Sequence, residues 1–285
     1  TVSPGGASGV YLGNRWVLTA AHVGPGSVQI LGVNYDVVAD TRIQLHGPAG
    51  TGPVDLCLFQ IDGDPGLTPI PVIAQQLAKN TPVTLIGFGQ QRGNAAYFDA
   101  AWKTVDPATV TPTYAGYKRA GTYGKIWGTN AIDSVSTTYS TSIGKSIAYV
   151  LTFTDPAAGG TANEAEIGGM DSGGPVFAKV GGVWQVAGIM VDGSGKKSGY
   201  ALWGDKTIAV ELATYQPQIE AVRRLSHPTK FDLWLVGKLV VDSNSPSADP
   251  DGDGLSNLEE YAYGLDPLVK NAAGDAPQYQ IGRAS

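Results

Sequence analysis

Apolar residues in this chain gather in short runs separated by glycine, proline, asparagine and aspartate. That spacing is the pattern of strands and turns, not the i, i+3, i+4 recurrence of an amphipathic helix. Residues 9–12 and 15–19 read as two strands meeting at Gly13-Asn14, a dipeptide suited to a hairpin turn. Residues 28–33 and 35–38 have strand composition, and Asp55 opens a largely apolar run that ends at Ile61. Further strands are predicted at 82–89, 147–153, 175–178 and 184–191, the last two as a hairpin around Gly181-Gly182. Apart from 147–153, the aromatic and Thr-rich stretch 90–165 resists division. Residues 207–225 suit a closing helix except at Pro217. Many short strands and almost no helix predict an all-β fold of two packed barrels.

From Ser226 the composition changes. His227-Pro228 reads as a boundary, 231–241 has strand character, and 243–248 is a polar linker. The predicted domains are therefore 1–225, a linker with a strand over 226–248, and, over 249–285, a metal-site loop, a short helix from Asn257 to Gly264 and a tail.

Composition narrows the function classes. Of 285 residues 39 are glycine, and only 15% are charged against about 25% in an ordinary domain, which fits a turn-rich β protein. The net charge is −6 and Lys and Arg do not cluster, so the chain lacks the footprint of a nucleic-acid binder. No apolar run is long enough to span a bilayer. Cys57 is the only cysteine, so no intramolecular disulfide forms, and its apolar surroundings predict a buried, inert thiol.

The chemistry-bearing residues lie in three stretches. Gly168-Gly169-Met170-Asp171-Ser172-Gly173-Gly174-Pro175 sets a serine among glycines, which lets substrate backbone approach a nucleophile. Thr19-Ala20-Ala21-His22 supplies an imidazole whose ordinary pKa, about 6.5, suits a general base. Val54-Asp55-Leu56 supplies a carboxylate at the start of a buried strand, where an imidazole would satisfy it. The other histidines, His46 and His227, lie in no comparable motif.

In this His, Asp, Ser order the three stretches resemble the trypsin/chymotrypsin-like serine peptidases over roughly residues 9–225. The resemblance implies two six-stranded-type β-barrels with a C-terminal helix, a triad of His22, Asp55 and Ser172, and an oxyanion hole at the N–H groups of Met170 and Ser172. Relatives usually carry Gly where this chain has Met170; a Cβ there either turns that N–H away or is accommodated by Gly168 and Gly169. The resemblance also implies that Asp171 needs a cationic or N–H partner, and Thr1-Val2-Ser3-Pro4 does not match the N-terminus that fills this role in activated relatives. The substrate pocket would have Glu166 at its floor and Gly193 and Gly199 in its walls. A carboxylate floor would favour Arg or Lys; in the alternative, Glu166 sits in an exposed loop of different length.

Asp249-Pro250-Asp251-Gly252-Asp253-Gly254-Leu255-Ser256-Asn257-Leu258-Glu259-Glu260 satisfies D-x-D-x-D-G-x5-E. The spacing offers a hard Ca²⁺ ion the side chains of Asp249, Asp251, Asp253, Asn257 and Glu260 and the carbonyl of Leu255. Because the preceding stretch is not helical, the loop resembles dockerin or thrombospondin type 3 repeats, which implies a structural ion and an attachment or assembly role for the tail. Such an ion can replace disulfides as a source of stability, so the expectation is a secreted bacterial protein whose signal peptide has been removed. The expected function is a serine endopeptidase acting on protein or peptide substrates. The rival is an inactive protease-fold binding or adhesion module with a calcium-dependent tail.

Overall fold

The computed structural model describes residues 6–48, 52–238 and 243–272, so Thr1-Val2-Ser3-Pro4 lies outside the described residues. The chain divides into two compact units, Thr1–Gln216 and Pro217–Ser285.

In the first half of unit 1 the strands are β1 (Val10–Gly13), β2 (Trp16–Thr19), β3 (Val28–Ile30), β4 (Val33–Tyr35), β5 (Ile43–His46) and β6 (Pro53–Gln60). Asn14 and Arg15 both have positive φ, 49° and 64°, so the β1–β2 turn is centred one residue later than Gly13-Asn14. The sheet order is β1-β2-β6-β5. β3 and β4 form a separate hairpin because Leu31 and Gly32, at φ 52° and 84°, turn the chain where a continuous strand was expected. Among the described residues this half is thus a four-stranded sheet and a hairpin, linked by an isolated Val37–Ile61 bridge. Tyr11, Val17, Val28, Ile30, Phe59 and Ile61 pack together as its core.

The second half contains β7 (Pro82–Gly87), β8 (Gln90–Phe98), β9 (Tyr114–Tyr123), β10 (Ile126–Ser140), β11 (Lys145–Thr152), β12 (Pro175–Val180), β13 (Val183–Ser194), β14 (Tyr200–Leu202) and β15 (Lys206–Glu211). Six of them close a barrel in the order β10-β11-β15-β13-β12-β7. The stretch that resisted division supplies β10 and a separate sheet, β14-β9-β8. The closing helix expected over 207–225 is corrected at its start. Residues Thr207 to Glu211 are buried on both faces as the sixth barrel strand, and the helix α1 spans only Gln216–Arg223. Pro217 is tolerated because it falls in the first turn, where an N–H has no helical acceptor.

Unit 2 is helical. The strand expected at 231–241 is instead α2 (Lys230–Gly237), and residues 239–242 lie outside the described set. A capping box supplies the reason: Thr229 accepts from the Asp232 N–H while the Asp232 carboxylate accepts from the Thr229 N–H. A short apolar run does not by itself distinguish strand from helix. A second capping box, Ser256 with Glu259, starts α3 (Asn257–Tyr263), and Gly264 ends it at φ 73°. Phe231 and Trp234 of α2 meet Tyr261 of α3, with ring centroids 5.4 and 5.2 Å apart.

Candidate active site

Directly after β2 the chain turns, placing His22 beside the buried start of β6. Asp55 takes this histidine twice: Oδ1 accepts the His22 backbone N–H at 2.9 Å and Oδ2 meets Nδ1 at 2.8 Å. The backbone bond sets where the ring starts and the side-chain bond sets its rotation. With the proton on Nδ1, the lone pair of Nε2 faces outward, as a general base requires. The Asp55 hydrogen bond raises the His22 pKa above its ordinary value, burial opposes it, and the Asp55 and Asp192 charges add to the rise. The Asp55 N–H is itself donated to Ser146 Oγ at 3.1 Å.

Ser172 is fastened to the same strand end. Its carbonyl accepts the Ser8 N–H at 2.9 Å, and Thr19, the last residue of β2, donates its hydroxyl to the Ser8 carbonyl at 2.7 Å. Gly173, at φ 83°, passes so close that a Cβ would lie 2.0 Å from the Ser8 oxygen and 2.1 Å from Thr19 Oγ1. The glycine is therefore a packing requirement, and the loop bearing Ser172 rests on the strand that delivers His22.

Met170 adopts the left-handed conformation, φ 72°, with half of its surface exposed. The loop has accepted the strain of a Cβ, a cost of about 1–3 kcal/mol. Gly169 uses its carbonyl to accept the Gln90 N–H at 3.0 Å, and Met170 uses its own to accept from Ser8 Oγ at 3.1 Å. In a trans peptide the N–H points opposite the preceding carbonyl, so the Met170 N–H is turned away from Gln90. Among the described residues, neither this N–H nor that of Ser172 is spent on a protein acceptor. The intervening Asp171 is buried in a cradle: a Cβ on Gly87 would lie 1.8 Å, and one on Gly89 2.4 Å, from its Oδ1. Its Oδ2 accepts the Gly168 N–H at 2.8 Å, and burial pushes its pKa up to about 6.

The expected pocket is arranged differently from a free carboxylate between two glycine walls. Glu166 is buried and bonded to the Arg119 guanidinium from β9. Burial raises its pKa to about 8, with Arg119 opposing the rise. Arg119 also donates to the Ile167 carbonyl at 2.9 Å and to the Tyr200 carbonyl at 3.2 Å, and its own N–H reaches the Gly199 carbonyl at 2.9 Å. A cavity of about 280 Å³ reaches Glu166 from the side of Gln90, Tyr117 and Trp127, and its lining includes neither His22 nor Ser172. Gly193 faces Ile167, whose Cγ2 would lie 2.5 Å from a Cβ there. Gly199, at φ 79°, has open space around it. Sequence reasoning missed Ser8, Ser146, Ile167, Arg119 and Asp192. Of these only Ile167 and Asp192 adjoin residues singled out for the pocket, and the run around Arg119 gave no signal.

In unit 2, ligand atoms of Asp249, Asp251 and Asp253 lie within 4.8 Å of one another. Gly252 and Gly254, at φ 71° and 95°, permit the turns that converge them. Glu260 is fully buried, and burial together with Asp251, Asp253 and Asp249 raises its pKa to about 7. Asp251 Oδ2, Glu260 Oε2 and Asn257 Oδ1 are buried without hydrogen-bond partners. Such orphaned oxygens are what a hard cation would satisfy, so the donor set fits the expected ion. Asn257 also has a structural task, donating to the Ser243 and Ser245 carbonyls at 2.7 and 2.9 Å. Asn271, absent from the motif, bonds Asp253 Oδ2 through its N–H and side chain and reaches Glu260 Oε1.

A closed β-barrel beside a second sheet, with a carboxylate-held histidine and a glycine-flanked serine, defines a serine-peptidase-type fold. The sequence family described as Trypsin matches residues 2–217. The chain belongs to that family. Among solved structures, human heparin binding protein is similar at TM-score 0.50 and 14% identity, covering 80% of this chain and 91% of that one. Neuropsin, a serine protease expressed in mouse brain, is similar at TM-score 0.45 and 17% identity, covering 74% and 86%. No curated protein matches the chain.

Proposed function

We propose that this protein is a secreted serine endopeptidase whose C-terminal segment holds a structural Ca²⁺ ion. The observation carrying the catalytic part is the pairing of a doubly held His22–Asp55 with a serine loop whose Met170 and Ser172 N–H groups are unspent. In this reading His22 Nε2 takes the Ser172 hydroxyl proton as Oγ attacks the peptide carbonyl, and Asp55 stabilises the imidazolium. The two N–H groups hold the oxyanion, an interaction for which one donor is worth about 2.7–4 kcal/mol. The imidazolium then protonates the leaving amine, and water, deprotonated by His22, releases the acyl group from Ser172.

Protein or peptide substrates follow from the family; a preference for Arg or Lys does not follow from Glu166, whose carboxylate already faces Arg119. The Ca²⁺ ion would be held by Asp249, Asp251, Asp253, Glu260 and the Leu255 carbonyl, with the Asn257 side-chain oxygen also available. It supplies charge neutralisation that orders the loop, and takes no part in peptide hydrolysis. Secretion, and attachment of the C-terminal segment to a surface or assembly partner, rest in this reading on that candidate ion site alone.

Labelling with a fluorophosphonate serine probe tests the catalytic part. Wild type labels and Ser172→Ala does not; absence of wild-type labelling, with the fold intact by circular dichroism, would return the protein to the binding-module reading.

A further inference from the structure

We infer that the substrate pocket of this peptidase is closed from within by Ile167, so that the enzyme cleaves after residues with small, uncharged side chains. The inference rests on the peptidase reading above and names its substrate class. Two independent contacts carry it. The first is steric. Ile167 is 6% exposed, and its Cγ2 occupies the position from which a side chain on Gly193 would be excluded, 2.5 Å from an ideal Cβ. Gly193 itself is exposed, so substrate backbone can approach it, but a branched or long side chain entering beneath it meets Ile167. Ile167 is not a mobile flap: its N–H donates to Thr207 Oγ1 on the barrel strand β15 at 2.9 Å, and its carbonyl accepts from Arg119.

The second contact is electrostatic. A carboxylate selects a cationic side chain only while it lacks a closer cation, and Glu166 has one in Arg119. Lys196 and Asp205 are the other charged groups that act on Glu166, with opposite effects. The cavity reaching Glu166 is lined by residues of β8 and β9 and includes neither Ser172 nor Ile167 in its lining. An arginine or lysine of the substrate would thus have to pass Ile167 and then displace a half-buried guanidinium bonded to two carbonyls and a carboxylate. A methyl group needs neither. Specificity for small residues therefore comes from the residue after the expected floor, and the floor carboxylate serves as an internal brace.

The test is a peptide-substrate series differing only in the residue on the acyl side of the scissile bond: Ala, Val, Leu, Phe, Lys and Arg. Wild-type enzyme, titrated by fluorophosphonate, should show kcat/KM for Ala at least tenfold above Leu, Phe, Lys and Arg. Glu166→Gln should leave that ranking unchanged, and Ile167→Ala should move the maximum toward Val or Leu. Ile167→Val, a smaller change, should shift the ranking in the same direction if Ile167→Ala does not fold. Labelled wild-type enzyme that prefers Lys, Arg, Leu or Phe overturns this inference and leaves the peptidase reading standing. An enzyme that neither labels nor cleaves any of the series overturns both.

Discussion

Asp171 shows how one buried carboxylate ties chemistry to pH. It sits between the two N–H groups assigned to the oxyanion, in space that exists because residues 87 and 89 lack side chains. Burial raises its folded pKa to about 6, against about 3.9 in an unfolded chain. A raised pKa means that the folded state binds the proton more tightly, so the associated stability is complete below about pH 4 and is lost as pH rises through 6. Asp171→Asn has no proton to lose. Denaturant titrations at pH 4 and pH 7.5 should show wild type losing about 2–3 kcal/mol relative to Asp171→Asn over that interval. Equal pH dependence of the two proteins would show that Asp171 keeps an ordinary pKa. The pairing of His22 with Asp55 was legible in the sequence because each lies in a local motif, and the glycine-flanked Ser172 stretch stood out in the same way. Arg119 and Ser8 were not, since nothing in their neighbouring residues records a partner dozens of positions away.

At the scale of elements, the β14-β9-β8 sheet explains why residues 90–123 were unreadable: its strands are mostly half-exposed and alternate weakly, so periodicity had little to register. Aromatic contacts organise its end. Phe98 meets Tyr200 edge-on at 5.0 Å, and Trp102, held at φ 65°, stacks on Tyr114 at 4.0 Å. The Lys197 ammonium lies over Phe98, Trp102 and Tyr200 at 5.2, 5.3 and 5.8 Å. This places a cation among three rings and anchors the segment between β13 and β14. Lys197→Met keeps the aliphatic stem and removes the charge. It should lower stability by about 0.5–1 kcal/mol and speed proteolytic nicking between Gly195 and Gly199, read by urea titration and limited digestion. The two sequence-level misassignments, β15 and α2, have one cause. Both are short apolar runs in which periodicity does not separate strand from helix; pairing with β11 and β13 decided one, and the Thr229–Asp232 capping box the other.

For the whole molecule, stability has no covalent cross-link to draw on. Cys57 is fully buried, and burial lifts its pKa to about 11, which keeps it a protonated, unreactive thiol. Unit 2 instead contains a cluster of carboxylates whose mutual repulsion an ion would relieve. A ligand present at a hundred times its dissociation constant stabilises the folded state by about 2.7 kcal/mol. Millimolar Ca²⁺ should therefore raise the melting temperature of unit 2, and chelator should lower it, while Mg²⁺ gives a smaller change because it resists dehydration. An unchanged melting profile with and without chelator would remove the calcium assignment. The all-β character of unit 1 was legible from turn spacing, and the convergence of Asp249, Asp251 and Asp253 from their repeat. Of the helices in unit 2, α3 was legible directly after that repeat, whereas α2 was not, because its aromatic contacts join segments that look unrelated in sequence.

The barrel described above closes through β7, which comes early in the chain but pairs with β10 and β12. The sheet holding His22 and Asp55 pairs within the first sixty residues, so its contacts are comparatively local. Loop closure makes distant pairings the slower ones. The Ser172 loop takes its shape from Ser8, Gly87, Gln90 and Met190, and so depends on that late pairing. The nucleophile's loop is thus shaped by contacts from both halves of the unit, whereas the base and its orienting carboxylate meet through residues close together in sequence.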